Sequence, residues 1–188
     1  MVRSFRTEHP GRAVIESLVD LASRAPSAGK VQGWHAIALD GARLEDFWRV
    51  TLPPERRDSF AWPGLLRAPV VLIVLADPDE YVRRYAEPDK RATGLGGGRD
   101  RWQVPYWLVD ASFASMVAML AAVDSGLGTL FFAVADEPAV RREFAVPDGM
   151  LVVGALAIGV PDGDDRKGRS ADRPRRTPAE ILRWGGWA

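Results

Sequence analysis

The sequence predicts a single α+β domain, with helices and strands around one shared core. Two apolar runs, 70–76 and 151–160, have the composition of strands that are covered on both faces. A third run, 108–123, is apolar nearly all round, which predicts a helix in the domain centre or at a subunit interface. With 188 residues, of which 47% are apolar and 27% charged, the chain can bury one sizeable core.

The first part of the chain alternates helical and strand patterns. Apolar residues recur at helical spacing over 12–24, and the run 34–39 predicts a short strand that Asp40-Gly41 closes. A second helical pattern covers 44–50 and ends at Pro53-Pro54. The run 70–76 follows and is predicted to be the central strand.

Residues 77–106 break this order and are predicted to form a mobile surface excursion. Their glycines at 94–98 do not make a dinucleotide fingerprint, because the G-x-G-x-x-G spacing fails at Arg99. The aromatic residues of this part of the chain have two interpretations, which the sequence leaves open. They either cover a flat ligand slot or pack in the core or an interface: Tyr81, Tyr85, Trp102 and Trp107.

The last third of the chain predicts a strand or extended loop at 130–134, a short helix at 137–144 and the strand at 151–160. A charged connection, 161–175, leads to a final helix. That helix opens with Thr177-Pro178-Ala179-Glu180, the pattern of a capping box. Trp184 and Trp187 in the tail need a cover, from a partner subunit or from their own domain.

Composition excludes several classes of function. Twenty-five basic residues balance twenty-five acidic ones, so no overall field points to nucleic acid or to a membrane surface. The chain has no cysteine and two histidines, which excludes disulfides, thiolate metal sites and a cysteine nucleophile, and no metal is expected. The N-terminus lacks a signal-peptide pattern, and the longest uncharged apolar stretch, 111–123, is too short to span a bilayer. We therefore expect a cytoplasmic protein.

Basic residues cluster at both ends of the chain. Arg3 and Arg6 flank Ser4, and three arginines precede the last helix: Arg173, Arg175 and Arg176. Guanidinium groups, a hydroxyl and helix amides suit a phosphate monoester, although two solvated arginine-rich ends are the simpler interpretation. His35 starts an apolar run and is expected to be packed and hydrogen-bonded. Because no acid–base or nucleophile motif is present, an enzyme of this sequence would need a bound cofactor.

The connection at 24–34 lies between the first helix and the first strand and has the composition of a ligand-binding loop. Pro26 disfavours further helix, and Gly29 and Gly33 let the backbone approach a ligand closely. The polar side chains of the loop suit a flat polar ligand: Ser27, Lys30 and Gln32. An ordinary helix–strand connection is an equally good interpretation of the composition.

The segment 24–34 resembles the A-P-S-x-x-N-x-Q-P-W segment of the nitroreductase family, FMN-dependent oxidoreductases that act as homodimers. Four other segments resemble family motifs in the same order: Arg3-Ser4-x-Arg6, Asp124-Ser125-Gly126-Leu127-Gly128-Thr129, Ala157-Ile158-Gly159-Val160-Pro161 and Arg176-Thr177-Pro178-Ala179-Glu180. The resemblance implies a homodimeric three-layer α/β/α sandwich with a central mixed sheet. It implies one FMN-binding domain over 1–188, with 77–106 as a variable excursion near the active site and 161–188 as a C-terminal extension.

The resemblance also implies the flavin site. It places Arg3, Ser4 and Arg6 near the FMN phosphate and ribityl chain, with Arg176 reaching the same phosphate. Residues of the 24–34 segment would line the flavin across the dimer interface: Pro26, Ser27, Lys30 and Gln32. The extended segment after the third strand would pass the reactive edge and offer a backbone N–H near flavin N5: Phe132, Ala133 and Val134. No catalytic side chain is implied.

Several positions depart from the family pattern, and one of them is Gly33, where the family has a proline after the glutamine. Val2 stands where the family has its first arginine, so Arg173 or Arg175 is a candidate replacement. Lys30 replaces an asparagine, and either places a positive charge beside the flavin or points to solvent. Ala133-Val134 replaces a glutamate-glycine pair, which leaves the nicotinamide donor and its geometry open.

The function that the resemblance implies is the transfer of hydride from NADH or NADPH, through FMN, to an electron-poor acceptor such as a nitroaromatic or a quinone. Two alternatives stay open. The first is a flavin-binding or flavin-sequestering dimer without significant turnover, which the missing glutamate at Ala133 favours. The second keeps a flavin enzyme but changes its reaction, so that the reduced flavin is itself consumed or a halogen is removed from an aromatic ring.

Overall fold

The computed structural model describes residues 1–166, 168 and 170–187. Seven helices and four strands follow one another in these residues: α1 (Arg12–Ala22), β1 (Trp34–Leu39), α2 (Gly41–Thr51), α3 (Pro54–Arg57), β2 (Val70–Ala76), α4 (Pro78–Tyr85), α5 (Tyr106–Asp124), β3 (Gly128–Phe132), α6 (Glu137–Glu143), β4 (Leu151–Gly159) and α7 (Pro178–Ile181). The helices and strands predicted from periodicity are all present, with ends shifted by a few residues. The ambiguous run 130–134 is a strand that stops at Phe132.

The strands form one sheet in the order β1-β2-β4-β3. Each of these neighbouring pairs is antiparallel, so the expected mixed sheet is wrong for the four described strands. The connections 40–69 and 133–150 contain helices and are long enough for either strand direction, so their length does not determine the pairing and the sequence pattern could not predict it. The α+β class itself is confirmed.

The sheet separates two apolar clusters, which confirms the three-layer α/β/α arrangement. Successive side chains of a strand point to opposite faces, and β2 is buried along its whole length. On one face its side chains pack with α1 and α5: Val70, Leu72, Val74 and Ala76. On the other face they pack with α2 and α6: Val71, Ile73 and Leu75. The predicted central position of 70–76 is therefore confirmed.

Helix α5 has a buried face of small residues and an exposed face of large ones. The buried residues let the helix approach the sheet closely: Ala111, Ala114, Ala118 and Ala122. The exposed face carries an apolar stripe: Phe113, Met116, Leu120 and Val123, each 47 to 62% exposed. By length and composition α5 could span a membrane, but it carries the buried Asp110 and supplies the core of this domain. The prediction that α5 is buried is thus confirmed for its small-residue face. Its apolar stripe is not covered by the described residues of the protomer.

The segment 77–106 packs against the domain through a few aromatic and apolar side chains, while most residues between Glu87 and Arg101 are exposed. It begins with α4, continues in short 3-10 turns, and packs on the cluster that contains α5. Of the two interpretations that the sequence left open for the aromatic residues, packing in the core is the one observed: Tyr81, Trp102 and, at the start of α5, Trp107 are at most 9% exposed. Indole and phenol rings contribute large apolar areas, and here those areas are used for packing.

The C-terminal residues lie on the surface. The predicted capping box of α7 is present, and the Thr177 backbone N–H donates to the Glu180 carboxylate at 2.6 Å. Trp184 and Trp187 are 89% and 84% exposed. The described part of their own domain therefore does not cover them.

Candidate functional site

A cleft at the N-terminus gathers groups that suit an anion. Residue 2 is joined to β3 (Val2 N–H to Thr129 O, 2.9 Å) and Arg6 to the residue after β4 (Arg6 N–H to Val160 O, 2.8 Å). This N-terminal cleft encloses about 170 Å³ and is lined by Arg3, Ser4, Trp62, Pro63, Gly64, Arg67, Asp164, Asp165 and Arg166. The two backbone bonds hold Ser4 and its neighbours against the sheet end where β4 stops.

Close backbone contact shapes the floor of this cleft. A Cβ on Gly64 would lie 2.2 Å from Ser4 Oγ, so any other residue there would displace the hydroxyl. The Phe5 N–H donates to Gly64 O at 3.2 Å, which fixes the approach. The Arg3 guanidinium lies 5.0 Å from the centre of the Trp62 ring, in cation–π geometry. The cleft is therefore preshaped and carries a hydroxyl and guanidinium groups.

A carboxylate of the protein already accepts hydrogen bonds from two residues that line the cleft. Asp162 accepts a hydrogen bond from Ser4 Oγ at 2.8 Å, and Arg67 donates to both Asp162 and Ser4 Oγ. The Asp164 backbone N–H donates to Asp162 at 2.9 Å. This N–H and the Ser4 hydroxyl, together with Arg67, hold the pKa of Asp162 below its usual value. These groups thus bind an anion in the protein as it stands, and they fit the phosphate of FMN chemically.

A second, mostly apolar pocket lies next to the N-terminal cleft. It is lined by residues of α2 and by the segment after β3: Phe47, Trp48, Thr51, Leu52, Phe60, Leu65, Phe132, Ala133, Val134 and Ala135. The Phe132 ring stacks on Trp48 at 5.9 Å with an angle of 8° between the rings. Residues 60–67 contribute to both pockets, so the structure brings two of the predicted phosphate residues, Arg3 and Ser4, and the predicted reactive-edge segment to one side of the sheet.

The 26–32 loop lies elsewhere, and its polar side chains partly hold the loop itself. Ser27 Oγ accepts from the Gln32 backbone N–H at 3.1 Å, and Gln32 Nε2 donates to Ser23 O at the end of α1 at 2.9 Å. Lys30 and Gln32 both have φ of 56°, a left-handed conformation that is costly for residues with a side chain. Lys30 is exposed and, with Pro26, Ser27 and Gln32, lines an open pocket of about 400 Å³.

Side chains of α4 and α5 hold this loop in place through hydrogen bonds to its backbone. Asp110, 3% exposed, accepts from the Ala28 N–H and from the Tyr81 hydroxyl, both at 2.8 Å. Arg84 Nε donates to Gly29 O at 3.1 Å. A buried carboxylate that is hydrogen-bonded on two sides is expensive to disturb. The loop is therefore held in one conformation by groups far from it in sequence.

The two halves of the predicted flavin site lie at opposite ends and on opposite faces of the sheet. Arg6 is hydrogen-bonded to the residue that follows the last residue of β4. The 26–32 loop precedes Trp34, which pairs with Ala76 of β2. Ala76 in turn pairs with Leu151, the first residue of β4. At about 3.3 Å per residue, β4 separates these positions by about 25 Å. The loop packs with the α1–α5 cluster, while 132–134 pack with the α2–α6 cluster. One protomer does not bring the two halves together.

Arg6 and Arg176 do not line the N-terminal cleft. Arg6 is exposed, and Arg176, which precedes α7, donates to Glu180 O of that helix at 2.7 Å. The N-terminus instead contacts the start of the 161–175 connection, where the Arg3 backbone N–H donates to Asp165 at 3.0 Å. The phosphate roles of Arg6 and Arg176 therefore stay predictions.

Sequence reasoning missed three residues that organise these regions: Arg67, Asp110 and Asp162. Arg67 and Asp162 lie in connections without periodic pattern, and only the fold brings them beside Ser4. Asp110 interrupts an apolar helix, a signal that was present in the sequence. The hydrogen bond predicted for His35 is present, because its Nε2 lies 3.3 Å from a Glu80 carboxylate oxygen, but the side chain is 40% exposed and is therefore not packed as predicted. Within 1–166, 168 and 170–187 no three histidine, aspartate or glutamate side chains gather into a metal site.

Comparison with known proteins identifies the family. The model of the Nitroreductase family matches residues 1–160. The chain is 31% identical over 174 residues to the 5,6-dimethylbenzimidazole synthase of Rhodospirillum rubrum, a match that covers 85% of this chain and 77% of that protein. It is 28% identical over 192 residues to the 4-nitrobenzoate reductase of a Nocardioides species, covering 86% of this chain and 76% of that protein.

Solved structures show the same fold. An FMN-dependent nitroreductase of Clostridium difficile superposes with a TM-score of 0.66 at 19% identity, covering 99% of this chain and 94% of that one. A nitroreductase-like protein of Streptococcus mutans gives a TM-score of 0.74 at 17% identity, covering 97% and 92%. At these identities the likeness concerns the fold alone. Together with the match of the family model over most of its length, it shows that the chain belongs to the nitroreductase family of oxidoreductases.

Proposed function

We propose that this chain is an FMN-dependent oxidoreductase that works as a homodimer and passes hydride from NADH or NADPH to an electron-poor acceptor, such as a nitroaromatic or a quinone. Bound FMN would supply the hydride chemistry, since it can accept a hydride from the donor and pass two electrons to the acceptor. The protein would bind, orient and dehydrate the reactants. No acidic or basic side chain is required for that role.

The observation that carries the proposal is the N-terminal cleft. Its hydroxyl and guanidinium groups hold a carboxylate in the protein alone, so the donor set suits the phosphate of a flavin nucleotide. The adjacent pocket beside α2 would then receive the flavin ring system, with the backbone of Ala133 and Val134 along its edge. The phosphate roles of Arg3, Ser4 and Arg6, and of Arg176 from the C-terminal extension, belong to the same proposal.

The homodimer supplies the missing half of the site in this proposal. A second copy would bring its 26–32 loop, with Pro26, Ser27, Lys30 and Gln32, to the flavin of the first. The exposed stripe of α5 offers the contact, since four large apolar side chains on one helix face are unusual at a solvated surface. Under this proposal residues 1–188 act as one domain in the cytoplasm, with 77–106 supporting the loop near the site.

Absorbance of the purified protein tests flavin binding, and anaerobic addition of a donor tests turnover. We expect the protein reconstituted with FMN to show the visible absorbance band of an oxidised flavin. NADH or NADPH should bleach this band, and a nitroaromatic should restore it. A band that neither donor bleaches would reject the reductase and leave a flavin-sequestering dimer.

A second candidate is a reaction that consumes the flavin. It is favoured by the similarity to proteins named 5,6-dimethylbenzimidazole synthase, flavin-consuming members of the family. The two functions differ in the fate of the flavin. Exposure of the reduced protein to air should return all of the oxidised flavin if the chain is a reductase, and should destroy flavin in proportion to protein if it consumes its flavin. Chromatography of the extracted flavin distinguishes these results.

A further inference from the structure

Two donors that line the N-terminal cleft, Ser4 and Arg67, are already hydrogen-bonded to a carboxylate of the protein, that of Asp162. Asp162 receives the Ser4 hydroxyl, the Asp164 backbone N–H and the Arg67 guanidinium, which is the set of donors that a phosphate oxygen would seek. Its side chain is 14% exposed and is bonded to Ser4 and Arg67, two residues that line the cleft, although Asp162 is not itself a lining residue. A phosphate that enters the cleft must compete with Asp162 for the same donors.

Arg67 is placed so that its guanidinium could bind either the Asp162 carboxylate or a phosphate in the cleft. Its Nε donates to Phe5 O at 2.9 Å, which anchors the guanidinium, and another nitrogen donates to Ser4 Oγ at 3.0 Å. Its side chain is 47% exposed toward the cleft side that Arg3 and Arg166 also line. Val2 occupies the position of the family's first arginine, and Arg67 brings a guanidinium to the neighbouring Ser4.

The backbone around Asp162 is held to the N-terminal residues. The Asp162 N–H donates to Ser4 O at 3.3 Å, and the preceding Pro161 pairs with Phe5 in an isolated β-bridge. Release of Ser4 Oγ and Arg67 would therefore come from rotation of the Asp162 side chain. The exchange would replace one carboxylate by one phosphate on the same donors.

We propose that Asp162 is a built-in competitor of the flavin phosphate, that Arg67 and Ser4 bind this phosphate when Asp162 turns away, and that Asp162 thereby lowers the preference of the site for FMN over riboflavin. The inference rests on the proposed flavin site and deepens it. A ligand without a phosphate leaves the Ser4–Asp162–Arg67 contacts in place, whereas FMN must break them. The selectivity for the phosphorylated flavin is therefore set by a residue that the phosphate displaces.

Dissociation constants for FMN and for riboflavin, measured by quenching of flavin fluorescence, test this inference. In Asp162→Asn the FMN affinity should rise about tenfold, the effect of one charge-assisted hydrogen bond, while the riboflavin affinity changes less than about twofold. In Arg67→Gln the FMN affinity should fall about tenfold and the riboflavin affinity should again stay constant. The FMN-to-riboflavin ratio is compared within each variant, so a partly unfolded preparation does not bias it.

Asp164→Asn is the matched control. Asp164 lines the same cleft and carries the same charge, but its carboxylate is not hydrogen-bonded to Ser4 or Arg67. Its removal should alter the FMN affinity by at most about threefold, the size of a solvated electrostatic effect. Equal effects of Asp162→Asn and Asp164→Asn would overturn the inference, as would an unchanged ratio in Asp162→Asn or in Arg67→Gln.

Thermal unfolding gives an independent measurement. Without ligand, Asp162→Asn should melt at a lower temperature than the natural protein, because it loses contacts between residues 4, 67 and 162. Saturating FMN should raise its melting temperature more than that of the natural protein. If FMN binds but this larger shift is absent, the inference alone fails. If neither flavin binds, the proposed function fails as well, so the two failures can be told apart.

Discussion

Asp110 shows how one residue connects the core to the predicted flavin loop. It is buried on α5 and accepts from Ala28 in the loop and from Tyr81 on α4. Its residue type was visible in the sequence as a charge inside an apolar helix. Its partners were not, because Ala28 is 82 residues away in the chain. The pairing depends on α4 and α5 packing together, which periodicity does not determine.

The Asp110–Tyr81 pair gives the first prediction. Tyr81→Phe should lower the free energy of unfolding by about 1–2 kcal/mol, and Asp110→Ala by about 3 kcal/mol, because it leaves the Ala28 N–H and the Tyr81 hydroxyl without their acceptor. The loss of unfolding free energy in the double variant should be smaller than the sum of the losses in the two single variants. Urea unfolding measures all three. Tyr106→Phe, at a 42% exposed tyrosine, is the control and should change stability by less than about 0.5 kcal/mol.

The same tyrosine gives a pH dependence. Burial, and next the hydrogen bond to Asp110, raise the pKa of Tyr81 above its usual value. A raised pKa in the folded state means that the stabilisation is present below about pH 10 and is lost as the pH rises further. The free energy of unfolding should therefore decline above pH 10 by up to about 1.4 kcal/mol per pH unit. Tyr81→Phe should lack this part of the decline, and identical slopes for the two proteins would contradict the assignment.

At the scale of the elements, the 26–32 loop is shaped by the helices beneath it. The sequence predicted that Gly29 lets the backbone approach a ligand closely, and the structure shows another reason for a glycine at this position. Gly29 has φ of 60°, and a Cβ there would lie 2.8 Å from the Tyr85 ring of α4. Arg84 of the same helix donates to Gly29 O. The loop conformation therefore depends on α4, although the two are far apart in sequence.

Substitution of Gly29 separates packing from backbone conformation. Gly29→Ala should lower the free energy of unfolding by about 2–4 kcal/mol, the sum of a left-handed backbone cost and the contact with Tyr85. Gly94→Ala is a matched control and should cost about 1–2 kcal/mol. Gly94 has φ of 73°, and among the described residues no atom would lie within 4 Å of a Cβ added there. Equal losses in urea unfolding of both variants would show that Tyr85 does not constrain the loop.

At the scale of the whole molecule, one protomer presents half-sites and an uncovered apolar face. The N-terminal cleft and the 26–32 loop lie on opposite faces of the sheet, while the α5 stripe is open to solvent. A two-fold dimer uses the same patch on both copies, so it would complete two equivalent sites at once. The exposed face of α5 and the split site thus have one common explanation in the proposed homodimer.

Charge on the α5 stripe tests this explanation. Leu120→Glu should weaken dimerisation by about 100-fold or more, because each copy would bury an unpaired carboxylate at the interface. FMN should be lost together with the dimer, since each site would lack the partner's loop. Light scattering coupled to gel filtration measures the oligomeric state. Val104→Glu, at a 46% exposed valine outside the stripe, should leave both properties unchanged. A Leu120→Glu protein that is still a dimer and still binds FMN would reject the α5 interface.

Local patterns in the chain were sufficient to predict the helices and strands other than α3 and α4, the central place of 70–76 and the capping box at Thr177. They also carried the resemblance to the nitroreductase family. These features depend on periodicity, turn residues and short motifs. The same local patterns did not reveal that every described strand pair is antiparallel, nor that Tyr81, Trp102 and Trp107 pack in the core. The Ser4–Arg67–Asp162 cluster and the separation of the two half-sites likewise emerge only from the folded chain. All of these features depend on contacts between distant segments, which local sequence patterns do not specify.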